Sequence, residues 1–223
     1  VSIFVNPKQF NNKKDFKTYP INIEDDLKIL KKIKGIDFVY IPQFKDIYNS
    51  KKVSIITIKK KDKILCAKYR KGHFEGVLDV MDRLTNLIKP NKIFMGKKDY
   101  QQLFLVKRFI ENKYLTKVIG CKTIRNNNKL ALSSRNYLLN EDDLIIASKI
   151  SKEFSLLKRK IKNKRNINKF LKEEKNNIQK IFNIKIEYLE LRNEKNLMLS
   201  NKSIQSKIFV SYYFKNIRFI DNF

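Results

Sequence analysis

The chain has 223 residues, with 50 Lys and Arg against 22 Asp and Glu, for a formal net charge of +28. Its 42% apolar content excludes a disordered chain and allows one large domain or two modest ones with a substantial core. Two cysteines, Cys66 and Cys121, exclude a disulfide framework, and no run reaches the ~18 apolar residues of a membrane span, so a reduced, cytoplasmic protein without a membrane role is expected.

In chain order, Val1–Val5 is a short apolar run that reads as a buried strand, followed by Asn6-Pro7-Lys8-Gln9-Phe10. A helix is predicted near Glu24–Lys34, with Leu27, Leu30 and Ile33 at a spacing of three and Gly35 as its stop. Asp37–Ile41 and Val53–Ile58 read as strands. Phe74–Ile88 reads as a helix with Val77, Val80, Met81, Leu84, Leu87 and Ile88 on one face and Pro90 beyond its end. Lys92–Met95 is a short strand, Asp99–Tyr114 a helix and Lys117–Cys121 a strand. This alternation predicts a parallel sheet covered by helices.

From about residue 123 the rhythm changes. A hairpin-like piece at Thr123–Leu132 leads to Ser133–Arg135, then to helices near Glu141–Lys162 and Ile167–Phe182. Strands follow at Ile184–Leu191, Ile208–Tyr213 and Ile217–Ile220. The expectation is an α/β domain over 1–122 and a smaller α+β domain over 123–223, without a Gly/Pro/Ser-rich linker and without internal repeats.

The charge invites a nucleic-acid reading, but its texture argues against one. There are 41 Lys and only 9 Arg, whereas phosphate recognition by bidentate forks favours Arg. Lys59–Lys63 and Lys158–Lys164 read as solvated faces.

Four clusters carry chemistry-bearing residues, each with a bland counterpart. Asn6 and Gln9 end the first predicted strand, where open α/β sheets bind ligands. Their amides both donate and accept, which suits a hydroxy acid, yet Asn6 can equally cap a turn. Gly96-Lys97-Lys98-Asp99-Tyr100-Gln101-Gln102 opens a helix, a place that favours phosphate. A Lys there can meet that phosphate and a carboxylate can accept from ribose hydroxyls, while Asp99 can equally serve as a plain N-cap. Arg70-Lys71-Gly72-His73 contains the single histidine, which cannot build a multi-histidine metal site; no metal ligands are expected, and a lone His at a helix start is commonly structural. Leu132-Ser133-Ser134-Arg135-Asn136 offers hydroxyls and a guanidinium to phosphate oxygens, or equally a helix cap and a surface ion pair.

Taken together, Ser2–Phe10, Tyr19-Pro20, Gly72–Val77, Gly96–Leu103 and Ser133–Asn136, with weaker support from Tyr188–Arg192 and Arg218–Asn222, make the chain resemble the pantothenate synthetase (pantoate–β-alanine ligase) family along essentially its whole length. The resemblance implies a Rossmann-like, doubly wound sheet of the nucleotidyltransferase class with a C-terminal lid domain. It also implies ATP-dependent condensation of pantoate with β-alanine through pantoyl adenylate, releasing pyrophosphate and AMP, with Mg²⁺ accompanying ATP and a homodimer as the assembly.

By the same resemblance, Asn6, Gln9 and Gln102 would hold pantoate, and Gln9 would also lie near β-alanine, with Tyr19, Arg70 and His73 lining the cleft. Gly96 and Asp99 would bind the ribose side, Lys98 the phosphates and Ile124 the adenine. Leu132, Ser133, Ser134 and Arg135 would close over the triphosphate, Arg135 neutralising charge as pyrophosphate leaves. Lys97, also placed in the ATP site, stands where the family usually has Glu and would add a cation beside the phosphates, and Lys71 stands where Pro is usual. The family's Met-Gly-x-x-His-x-Gly-His block and its preceding strand, central in a 3-2-1-4-5 sheet, are absent from these residues. The 223 residues alone are therefore expected to be poorly stable and catalytically weak; robust pantoate-dependent pyrophosphate release by them would overturn that expectation. A non-catalytic binding relative and, on charge alone, a nucleic-acid binder are the alternative readings.

Overall fold

A computed structural model describes residues 1–49 and 56–223. They form two compact units, one of residues 1–94 and 104–119, the other of residues 95–103 and 120–223. The second boundary falls beside the 122/123 division read from the sequence, but residues 95–103 belong with the C-terminal unit, so the chain divides within both strands that flank them.

In the first unit, short helices α1 (Lys13–Lys17), α2 (Ile23–Lys31), α3 (Phe44–Ile47) and α4 (Cys66–Tyr69) precede the long α5 (His73–Ile88). Helix α2 stops three residues short of the predicted Lys34, and Gly35 takes the left-handed φ of +87° beyond it. The expected strands Val1–Val5 and Asp37–Ile41 do not form. They meet at one parallel bridge, Ser2 with Tyr40, where Ile3 N donates to Tyr40 O (2.9 Å) and Tyr40 N to Val1 O (2.8 Å). Beyond it the terminal amine of Val1 donates to Phe38 O (2.8 Å), but no second bridge forms, and a strand needs a sustained ladder to be one. Of the predicted strand Val53–Ile58, Val53–Ile55 lie outside the described residues and Ile56–Ile58 have no regular structure.

Helix α5 forms as predicted, but its buried surface is not the predicted stripe. Phe74, Val77, Leu78 and Val80 are buried, whereas Leu87 and Ile88 are exposed. The N-terminal half is enclosed nearly all round, and the polar groups caught there are paired. Asp79 accepts from Arg83 Nε at 2.8 Å. Asp82 accepts from Lys113 Nζ and the Tyr114 hydroxyl at 2.7 Å each. Asp62, also buried, is held by the Arg108 guanidinium. Buried carboxylates without such partners would be costly.

Strands β1 (Lys92–Gly96) and β2 (Lys117–Cys121), linked by α6 (Tyr100–Lys113), make a two-stranded parallel sheet. The short strand expected at Lys92–Met95 forms as β1, which alternates exposed and half-buried residues and leaves Phe94 66% exposed. Among the described residues this sheet has no further strands to enclose it.

The second unit follows the sequence closely. Helix α7 (Glu141–Lys160) starts at Asn140, whose side chain accepts from Asp143 N at 2.8 Å. Acidic residues open it and basic ones close it, matching the helix dipole. Helix α8 (Ile167–Phe182) ends on Asn183 in the left-handed region. Strands β3 (Lys185–Asn193), β4 (Ser206–Phe214) and β5 (Ile217–Asn222) form an antiparallel sheet in that order, with one irregularity between Ile186 and Tyr188. Phe154 and Leu157 of α7, Leu171 and Ile178 of α8, and Ile208, Val210 and Phe214 of β4 share one core. No helix among the described residues is long and apolar enough to cross a membrane.

Candidate functional site

In the first unit the Val1–Phe10 segment is tied to α5 through Asn6, which is 1% exposed. Its Nδ2 donates to Gly76 O (3.0 Å), and its Oδ1 accepts from Lys8 N (3.2 Å) and from the Tyr48 hydroxyl (3.0 Å). Burial, with Asp79 adding to it, pushes the Tyr48 hydroxyl up to about 12, so it stays a donor to Asn6. Both acceptor sites of the Asn6 amide are thus spent inside the protein. Asn6→Ala would strand three polar groups and is expected to cost about 2–3 kcal/mol, read as a lower urea midpoint with an unchanged slope.

The turn that follows, Pro7–Gln9, is a single 3₁₀ turn. It leaves Gln9 half-buried, its side-chain amide without a partner among the described residues. The backbone carbonyl of Gln9 meets His73 Nδ1 at 2.7 Å, while His73 Nε2 faces Arg70 Nη1 at 3.0 Å. A guanidinium can only donate, so Nε2 accepts and Nδ1 carries the proton that binds Gln9 O. Gly72 allows this: it begins α5 at a left-handed φ of +79°. Arg70 also reaches Asn11 Oδ1 (3.4 Å) and Asp15 (3.9 Å). Tyr19 packs edge-on to Phe10 with centroids 5.4 Å apart. Asn6, Gln9, Tyr19, Arg70 and His73 therefore form one neighbourhood around the Pro7–Phe10 turn.

In the second unit Gly96 leads into a 3₁₀ turn, Lys97–Asp99, that continues as α6. Gly96 has ordinary extended angles, and a Cβ built there would meet nothing within 4 Å, so open space lies beside its backbone. Lys98 is only one-fifth exposed, with Nζ 3.8 Å from Asp99 Oδ1. Lys97 is directed elsewhere: its Cε and Cγ lie 3.1 and 3.3 Å from a Cβ built on Gly120. Gln102 lies three residues beyond Asp99, on the same side of the first turn of α6.

The hairpin at Thr123–Leu132 forms, bridged at Arg125 and Ala131, with Leu132 N donating to Ile124 O at 3.0 Å. Ile124 and Leu132 are both exposed apolar residues. Ser133 caps the 3₁₀ turn Ser134–Leu138 by accepting from Arg135 N (3.3 Å), which realises the cap reading of this serine.

Sequence reasoning missed the residues that hold these segments. Tyr48 gave no motif signal. Asn222 and Asp221 lie in Arg218–Asn222, which entered only as weak family support. The Asn222 amide donates to Lys97 O and Lys98 O, both at 2.8 Å. Tyr100 is fixed by a hydroxyl bond to Glu194 O (3.2 Å), an edge contact with Phe209 (5.7 Å) and Lys207 above its ring (5.7 Å). The C-terminal sheet thus carries α7 and α8 on one face and receives the Lys97–Tyr100 segment on the other.

The whole chain, residues 1–223, matches the family model described as Pantoate-beta-alanine ligase. It is similar to the pantothenate synthetases of Flavobacterium psychrophilum, at 34% identity over all of this chain and 80% of that one, and of Leptospira biflexa, at 37% over all of this chain and 80% of that one. Its fold matches the crystal structure of pantothenate synthetase from Thermus thermophilus, with a TM-score of 0.90 and 27% identity over all of this chain and 81% of that chain. It also matches pantoate-beta-alanine ligase from Francisella tularensis complexed with beta-gamma ATP and beta-alanine, with a TM-score of 0.82 and 37% identity over all of this chain and 77% of that one. The agreement of motifs, fold and similarity along all of this chain leads to one assignment: the chain belongs to the pantoate–β-alanine ligase family.

Proposed function

We propose that these residues serve the activity of their family, the ATP-dependent condensation of pantoate with β-alanine. The observation that carries the proposal is the family match over residues 1–223. The similar Francisella tularensis enzyme, complexed with beta-gamma ATP and beta-alanine, supports the same substrates.

In this reaction the pantoate carboxylate attacks the α-phosphorus of ATP. The α–β phosphoanhydride bond breaks, pyrophosphate leaves and pantoyl adenylate forms. The β-alanine amine then attacks the acyl carbon, losing a proton as AMP departs and the amide forms. The protein needs no covalent nucleophile; it needs alignment and positive charge at the phosphates.

The residues supply both. Lys98 is the phosphate-facing cation, held at a helix start whose amide groups favour anions. Asp99 accepts from the ribose hydroxyls, and the space beside Gly96 leaves room for the sugar. Ile124 and Leu132 offer an exposed apolar edge for adenine. Ser133, Ser134 and Arg135 close on the triphosphate, Arg135 countering the charge of leaving pyrophosphate.

On the acid-binding side, the geometry favours dividing the roles. On the family resemblance, Gln9 and Gln102 are the residues assigned to pantoate, and Gln9 also to the β-alanine side. Asn6, its amide already engaged, sets the turn that presents Gln9, and His73 with Arg70 fixes that turn from the other side. Mg²⁺ would come with ATP, held by its phosphate oxygens, and supply charge neutralisation. A cytoplasmic homodimer is part of the same proposal, on the strength of the family.

The test is equilibrium binding. Saturable binding of a non-hydrolysable β,γ-ATP analogue, competed by ATP, together with saturable pantoate binding is the expected result. Failure to bind either ligand would overturn the proposal.

A further inference from the structure

The C-terminal end of β5 holds a buried polar cluster that the reaction chemistry does not itself require. Asp221 is 8% exposed and Asn222 5%. Arg125 meets the Asp221 carboxylate through both terminal nitrogens, at 2.7 and 2.8 Å. The same guanidinium donates to Lys129 O (3.0 Å) and Asn222 O (3.3 Å), and lies 4.7 Å above the Phe223 ring. Asp221 Oδ1 also accepts from Asn222 N at 2.7 Å. The Asn222 side chain uses its two N–H groups on consecutive carbonyls, those of Lys97 and Lys98.

One cluster thus joins three separate stretches of chain: the Lys97–Lys98 backbone, the Ile124–Leu132 hairpin and the end of β5. A buried ion pair is weak evidence of a stability device, because apolar residues of similar size often serve stability as well or better. Its geometric precision is another matter. A carboxylate gripped by both arms of a fork, and an amide spanning two carbonyls, fix orientation more tightly than apolar packing does.

Resting on the functional proposal above, we infer that Arg125, Asp221 and Asn222 are positioning residues for nucleotide binding. They set the Lys97–Lys98 peptide relative to the hairpin, so that Lys98 and Asp99 meet the nucleotide in register with Ile124 and Leu132. None of the three touches the nucleotide in this scheme. They act through the backbone they hold, and small displacements at such positions carry large penalties.

The experiment compares dissociation constants for the β,γ-ATP analogue and for pantoate, with thermal melting alongside. Asn222→Ala is expected to weaken analogue binding about tenfold while pantoate binding stays within about twofold of the parent, since the change displaces the peptide that carries Lys98. Arg218→Gln is the control for general destabilisation. It removes the Arg218–Glu187 ion pair (2.6 Å) from the same sheet and is expected to lower the melting temperature while leaving analogue binding within about twofold. Should Asn222→Ala not fold, Asn222→Ser, which keeps a donor but cannot span both carbonyls, is read by the same criterion.

A folded Asn222 variant with parental analogue affinity overturns the inference, and so does Arg218→Gln weakening the analogue as strongly. A parent chain that binds no analogue at all overturns the functional proposal itself, which separates the two failures.

Discussion

Lys98→Ala is expected to slow pantoyl-adenylate formation by about 100- to 1,000-fold, the range seen when one preorganised charge-stabilising donor is removed from a reacting oxygen. The effect should appear in single-turnover measurement of pyrophosphate release, with the melting temperature little changed. Stability is spared because the ion pair of Lys98 with Asp99, at 3.8 Å, is long, and such pairs contribute about 0–1 kcal/mol. Lys98→Arg keeps the charge but widens and lengthens the head group, so partial activity is expected. Lys97 provides the internal comparison. Its stem lies along Gly120, so Lys97→Ala should have a far smaller effect although the residue is adjacent and carries the same charge. Equal losses at both positions would mean that net positive charge matters here and placement does not.

The second large effect is expected at Gly76, and it sets two forces against each other. Ala is the better helix former by about 1 kcal/mol in a helix interior. A Cβ at this position, however, would strike the carbonyl of Lys8, lying 2.7 Å from its carbon and 2.9 Å from Gln9 Cα. These are backbone atoms, so no rotamer change relieves the clash. The Pro7–Gln9 turn must lift off α5, breaking the bond from Asn6 to Gly76 O and shifting the Gln9 carbonyl that His73 holds. The clash should win, with a net destabilisation of about 3 kcal/mol in urea denaturation and weaker pantoate binding. A stabilised Gly76→Ala variant would show that the turn can move freely and that Gln9 is not held by it.

Much of the second unit was legible from local pattern. Helix α8 runs Ile167–Phe182 as read, and α7 and the three C-terminal strands lie within a few residues of expectation. Their apolar spacing matches a core that α7, α8 and the sheet build among themselves, so periodicity and burial agree. The first unit was harder. Val1–Val5 and Asp37–Ile41 have strand-like composition, but composition specifies only readiness to pair. In α5 the spacing placed Leu87 and Ile88 inside, yet the enclosure of the helix ends before them.

The candidate site divides in the same way. Gly96–Gln102 and Ser133–Arg135 could be recognised as residue types suited to phosphate at a helix start and a turn, and the motif order carried the family. Whether an amide is available to a ligand could not be read from spacing: Asn6 and Gln9 look alike in the sequence, yet Asn6 is engaged by Tyr48 and Gly76 while Gln9 is not. Asn222, which holds the Lys97–Lys98 carbonyls from more than a hundred residues away, shows the same limit.

By itself the sequence determined the family and the elements whose hydrophobic period is satisfied by near neighbours. The tertiary structure alone decided where pairing stops at Ser2 and Tyr40, which amide is spent at the Pro7–Gln9 turn and which buried cluster holds the Lys97–Lys98 peptide. The physical reason is that periodicity is a local property of a chain, whereas a hydrogen bond belongs to whichever partner the fold brings within about 3 Å.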